Sequence, residues 1–225
     1  MEPGVTSLRS NTVATAAALL VVAGPMMMLS VHAEPWNALS LPTWMVHVSS
    51  LIEWLVAMAY VWKYAEAVGM SEWKGLTWGM APLHVSGLCA CAFHVFYNSP
   101  QLNALVPLQA SLTCFGNATM AWAAWRIWKA GQREAEGAGG ARATTDAVPV
   151  AMPALKDEVV FYGKIALVTV LGAALVKYGE LFLDFPFEPT LPAALAVIGL
   201  PSLYNFKVWW DRSNDPSADF EAGFL

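Results

Sequence analysis

Six long apolar runs constrain this chain more than anything else in it. They fall at about 13–32, 43–66, 76–98, 103–130, 159–178 and 189–210. A bilayer core takes roughly 20 predominantly apolar residues per helix. The expected fold is therefore all-α, a polytopic transmembrane helical bundle of six spans. Turn chemistry sits between the runs, at Glu34-Pro35, Leu41-Pro42, Gly69 to Glu72, Asn98-Ser99-Pro100 and Pro186 to Pro192. Charged residues are only 13% of the chain, against about 25% in soluble domains. That is too few to coat a water-facing surface.

Charge placement tests the threading independently. Six spans put Arg9, Lys63, Lys74, Arg126, Lys129, Arg133, Arg142, Lys156, Lys207 and Arg212 on one side, with Lys164 close to it. Only Lys177 falls on the other, beside Glu34, Glu180, Asp184 and Glu188. Eleven of the twelve basic residues thus share a side, as the positive-inside rule requires of a cytoplasmic or stromal face. Omitting any of spans two to six scrambles the pattern. Tryptophans near the span ends, such as Trp62, Trp73 and Trp128 on the positive side and Trp36 and Trp44 on the other, form the interfacial belts.

Residues 1–130 make a four-span part, and residues 153–225 a two-span part with a water-facing tail from Asp211 onward. Between them, 131–152 is Gly/Ala-rich with mixed charge and reads as a flexible linker. Val31-His32-Ala33 before Glu34 also resembles a signal h-region with a small residue at the cleavage point. The lone Arg9 is a poor n-region, which favours a retained span. Cleavage there would leave five spans.

The segments Leu39-Ser-Leu-Pro-Thr-Trp-Met-Val-His47-Val-Ser-Ser-Leu-Ile-Glu53-Trp54 and Trp73-Lys-Gly-Leu-Thr-Trp-Gly-Met-Ala-Pro-Leu-His84 carry polar groups inside apolar runs. Cys89-Ala-Cys91-Ala-Phe-His94-Val-Phe-Tyr-Asn98 follows, then Leu108-Gln109-Ala-Ser-Leu-Thr and Gly116-Asn117. Over residues 39–128 the chain resembles a family of uncharacterised cyanobacterial and plastid membrane proteins, catalogued as plastid hypothetical reading frame forty-nine. The resemblance implies an oxygenic phototroph and a plastid thylakoid or cyanobacterial thylakoid membrane. It implies no biochemical activity.

Ionisable groups at membrane depth are costly and mark candidate sites. Here they are His47, Glu53, His84 and His94, with Gln109 and Asn117 nearby in depth. At 1.5 Å per residue, His47 and His94 lie roughly 6 Å inside the acidic side, Glu53 about 15 Å, and His84 and Asn117 about 21 Å. Two layers are expected: an outer His47/His94 level and a central Glu53/His84/Asn117 polar cluster. Glu53 lies about 120° around the helix from His47, so one of the two faces elsewhere. Each histidine reads either as interhelical hydrogen-bonding glue or as an axial ligand to haem or a pigment such as chlorophyll, with carotenoid as a further pigment. Proton or quinone chemistry is the remaining alternative. Cys89 and Cys91, two apart on a helix, do not face each other and make a poor metal pair.

No Gly-rich phosphate loop, His-Glu-x-x-His zinc pattern or nucleophile elbow occurs. A net charge of -5 excludes a nucleic-acid partner. The expectation is a non-enzymatic accessory, assembly factor or small subunit of a photosynthetic membrane complex, with lipid and other membrane subunits as partners. A haem- or pigment-binding redox protein using His47, His94 or His84 is the alternative, and a proton-coupled transporter centred on Glu53 is a third.

Overall fold

A computed structural model describes residues 34–137, 155–182 and 188–214. They form α1 (Leu41–Val68), α2 (Glu72–Val95), α3 (Leu105–Gly137), α4 (Leu155–Phe182) and α5 (Leu191–Asn214), with a 3-10 turn at Pro100–Leu102. No strand occurs among the described residues. The fold is all-helical.

The six-span expectation is corrected to four helices long and apolar enough to cross a membrane among the described residues: α1, α2, α4 and α5. The run at 13–32, and with it the cleavage alternative, lies outside the described residues. The run at 103–130 does form a helix, α3, but not one apolar enough to cross alone. Gln109, Ser111, Thr113, Asn117 and Thr119 dilute it. α3 also continues through 131–137, into the stretch read as linker, because Gln132, Arg133, Glu134, Ala135 and Glu136 are good helix formers. The rest of that linker, most of the 184–188 turn and the tail beyond Asn214 lie outside the described residues. The start of the tail is helical, and Arg212 within it is buried.

Local chemistry sets the helix ends. Ser40 caps α1 through its hydroxyl, which accepts from the Thr43 amide at 3.3 Å, and Pro42 sits in the first turn. Gly69 ends α1 at φ 69°, the left-handed conformation that favours glycine. α2 closes on Tyr97 and Asn98, both with positive φ, and the Asn98 amide returns to the Phe93 carbonyl at 2.9 Å.

α2 is the organising element, flanked by α3 on one side and α1 on the other. α2 and α3 make the most extensive packing, running antiparallel. Gly79 faces Thr119, Leu83 faces Gly116 and Ser86 faces Thr113, stepping in opposite directions along the two helices. Gly79 and Gly116 permit the close approach. A Cβ on Gly79 would meet the Thr119 carbonyl oxygen at 3.0 Å, and one on Gly116 would meet Leu83 Cγ at 2.6 Å. Small residues at such contacts are the usual means of bringing membrane helices together.

Pro82 lies inside α2 and removes one backbone donor there. Two side chains bind the carbonyls just before it: Thr119 Oγ1 donates to Gly79 O at 2.8 Å and Trp54 Nε1 donates to Met80 O at 3.0 Å. Neighbouring helices thus hold α2 from both sides at its weakest turn.

α4 packs on α1 and α5 on α2. Each is latched at one end. Lys177 of α4 donates to Glu34 Oε1 at 2.5 Å and to the Leu39 carbonyl at 2.9 Å. At the opposite end Arg212 Nη2 of α5 meets Glu66 Oε2 of α1 at 3.0 Å. Glu66 also accepts from Trp62 Nε1 at 2.8 Å and lies 3.6 Å from Lys74. Trp62 and Trp209 stack at 5.3 Å beneath.

Candidate functional site

Of the site residues, His47, His84 and Gln109 line one cavity of about 330 Å³ between α1, α2 and α3. His47, Ser50, Leu51 and Trp54 of α1 form one wall. Leu83, His84, Gly87, Ala90 and Cys91 of α2 form the floor, and Gln109 of α3 closes the far side. The cavity exists because α1 and α3 each pack on α2 more than on each other. It is not sealed between them.

The outer layer forms. The His47 and His94 rings lie 4.9 Å apart, tilted by 36°. The left-handed turn at Tyr97–Asn98 brings Asn98 Oδ1 to 2.7 Å from His94 Nδ1, and Asn37 Nδ2 donates to the Tyr97 carbonyl. His94 is thereby oriented with its other nitrogen free of that bond.

The structure does not bring the central layer together. His84 is buried, at 4% exposure, while Glu53 and Asn117 are exposed. Neither hydrogen-bonds His84 among the described residues. The cause is helical angle. Leu51, Trp54 and Met58 turn α1 toward α2, and Glu53 lies roughly 130° around from that face. It joins Val46, Tyr60 and Tyr64 on the exposed stripe of α1. Asn117 turns away from α2 because its neighbour Gly116 is the residue in contact.

His84 is left with its Nδ1 buried and without a hydrogen-bond partner. Gln109 borders the cavity, and its backbone carbonyl accepts from Ser86 Oγ at 3.0 Å and Thr113 Oγ1 at 2.9 Å. Sequence reasoning placed Gln109 only as company for the histidines. Among the described residues no three His, Cys, Asp or Glu gather as a metal site.

Every residue lining this cavity falls within the part of the chain that known proteins share. The sequence profile of the family described as "Protein of unknown function (DUF2499)" matches residues 38–126. A "Ycf49-like protein" of Synechocystis sp. is 56% identical over 93 residues, covering 41% of this chain and 89% of that protein. The chain belongs to the Ycf49 family. The "Uncharacterized protein ycf49" of Cyanophora paradoxa is 36% identical over 84 residues, covering 37% of this chain and 82% of its own length. No solved structure matches. The Ycf49 region thus comprises α1, α2 and most of α3, and α4 and α5 lie outside it.

Proposed function

We propose that this protein is an integral membrane accessory or assembly factor of a photosynthetic membrane complex, acting by helix–helix contact rather than catalysis. The exposed face of α3 carries the reading. Phe115, Trp122, Trp125 and Trp128 are exposed there with Asn117 among them. A helix too polar to cross a bilayer alone, bearing a mid-helix Asn and a row of aromatics, is poorly matched to lipid. It is well matched to another membrane subunit, since aromatics anchor interfaces. Relatives in Synechocystis and Cyanophora, both oxygenic phototrophs, support a thylakoid location. The basic ends of α1, α3 and α5 then face the stroma or cytoplasm.

Affinity-tagged protein, solubilised from its own membranes in mild detergent, should co-migrate with subunits of one photosynthetic complex on native gels. Trp122→Ala combined with Trp125→Ala should release it while it still accumulates. Migration as the free chain alone, with photosynthetic complexes at normal levels in its absence, would overturn the reading.

A further inference from the structure

The cavity has polar groups at its two ends and mostly apolar walls, with Ser50 also among the lining residues. Leu51 and Gly87 stand between the ends, Leu83 adjoins His84, and Ala90 lies level with Gln109. At the deep end the imidazole of His84 is 4% exposed and has no hydrogen-bond partner among the described residues. Leaving a buried donor or acceptor unmatched costs about 1–3 kcal/mol, so a partner from outside the chain is the economical explanation. At the shallow end stand His47 and Gln109.

The register gives the distance between the ends. Gly79 opposes Thr119, Leu83 opposes Gly116 and Ser86 opposes Thr113, and the same register places Gln109 opposite Ala90. That is six residues beyond His84, or about 9 Å along the axis. Side chains lean toward their own helix N-terminus, which moves His84 and Gln109 slightly farther apart because the two helices are antiparallel. A six-membered ring with oxygens at opposite corners is about 5 Å across them, and two hydrogen bonds of about 2.8 Å extend the span to roughly 10 Å. Volume agrees. An apolar cavity of about 150 Å³ accepts benzene, so 330 Å³ accommodates a substituted ring and the first part of a tail. The gap between α1 and α3 provides the exit for that tail.

We propose that this cavity binds the head group of a membrane-soluble para-quinone or its hydroquinone, with one oxygen on His84 and the opposite oxygen on Gln109. The site is independent of the α3 contact face: one faces inward between three helices, the other outward. Failure of either leaves the other standing.

The probe is duroquinone, a tetramethyl para-benzoquinone, measured by equilibrium dialysis against the full chain in lipid nanodiscs, with empty nanodiscs as background. Its oxygen-free analogue durene is the control ligand. One saturable duroquinone site per chain is expected, with durene at least about tenfold weaker because it lacks both hydrogen bonds. His84→Leu and Gln109→Leu should each weaken duroquinone about tenfold. Ala90→Phe should abolish binding by filling the cavity beside Gln109, and Leu200→Ala, on the exposed face of α5, should leave it unchanged. No saturable site above empty nanodiscs overturns the proposal. So does equal binding of durene, or undiminished binding in Gln109→Leu, the half-buried position at which loss of fold is not at issue.

Discussion

At the scale of single residues, contact distance decides what each position tolerates. Gly116→Val should destabilise the chain by about 1–3 kcal/mol, since its Cβ would lie 2.6 Å from Leu83 Cγ and 3.0 Å from the Leu83 amide nitrogen. Gly131→Val, where an added Cβ meets nothing within 4 Å, should be near neutral. Thermal unfolding in detergent separates the two, and equal shifts would mean that α2 and α3 do not pack this closely. His84→Leu makes the opposite expectation. Without ligand it should leave stability unchanged or raised by about 1 kcal/mol, because it removes an unmatched buried nitrogen and keeps the apolar volume. A large loss would show that His84 has a partner within the chain. Which polar residues interrupt the apolar runs was legible from the sequence. Which of them point inward was not. A helix position fixes depth through its rise, but its facing depends on which side the neighbours take. Glu53 beside Trp54 shows the limit: adjacent in sequence, one is exposed and the other bonds across to α2.

Helix by helix, periods and punctuation were sufficient for α1, α2, α4 and α5, whose ends agree with the apolar runs to within a few residues. α3 was legible as a helix but not as one too polar to cross alone. Two of its hydroxyls are spent on α2: Thr113 with Ser86 at 2.7 Å, and Thr119 with Gly79 O at 2.8 Å. A hydropathy count sees the polar atoms and not their partners. The two latches escaped the sequence entirely, because Glu66 and Arg212 stand 146 positions apart, and Lys177 and Glu34 stand 143 apart. Lys177 was visible as the one basic residue on the acidic side, and its pairing accounts for its tolerance there. Arg212→Leu should loosen the last turns of α5, raising amide hydrogen exchange over 207–214 while α2 and α3 stay protected. Unchanged exchange would assign that end to the Trp62–Trp209 stack alone.

In the whole molecule, a Ycf49 core of three helices carries two further helices that lean on it separately. α4 rests on α1 and α5 on α2, so each added helix finds its place on the core rather than on its sequence neighbour. Pieces 1–137 and 155–225, co-expressed, should therefore reassemble and co-purify. Recovery of the first piece alone would mean that the covalent connection is required. The latches sit at opposite ends of the bundle, Lys177–Glu34 at the acidic end and Arg212–Glu66 at the basic end, and this has a mechanical consequence. A tether pulling the C-terminus out of a supported bilayer on the basic side loads the Arg212–Glu66 pair first, and the Lys177–Glu34 pair bears no tension until α5 has left. Force–extension traces should show two separate ruptures for the added helices before the core yields, and neutralising Arg212 should lower only the first.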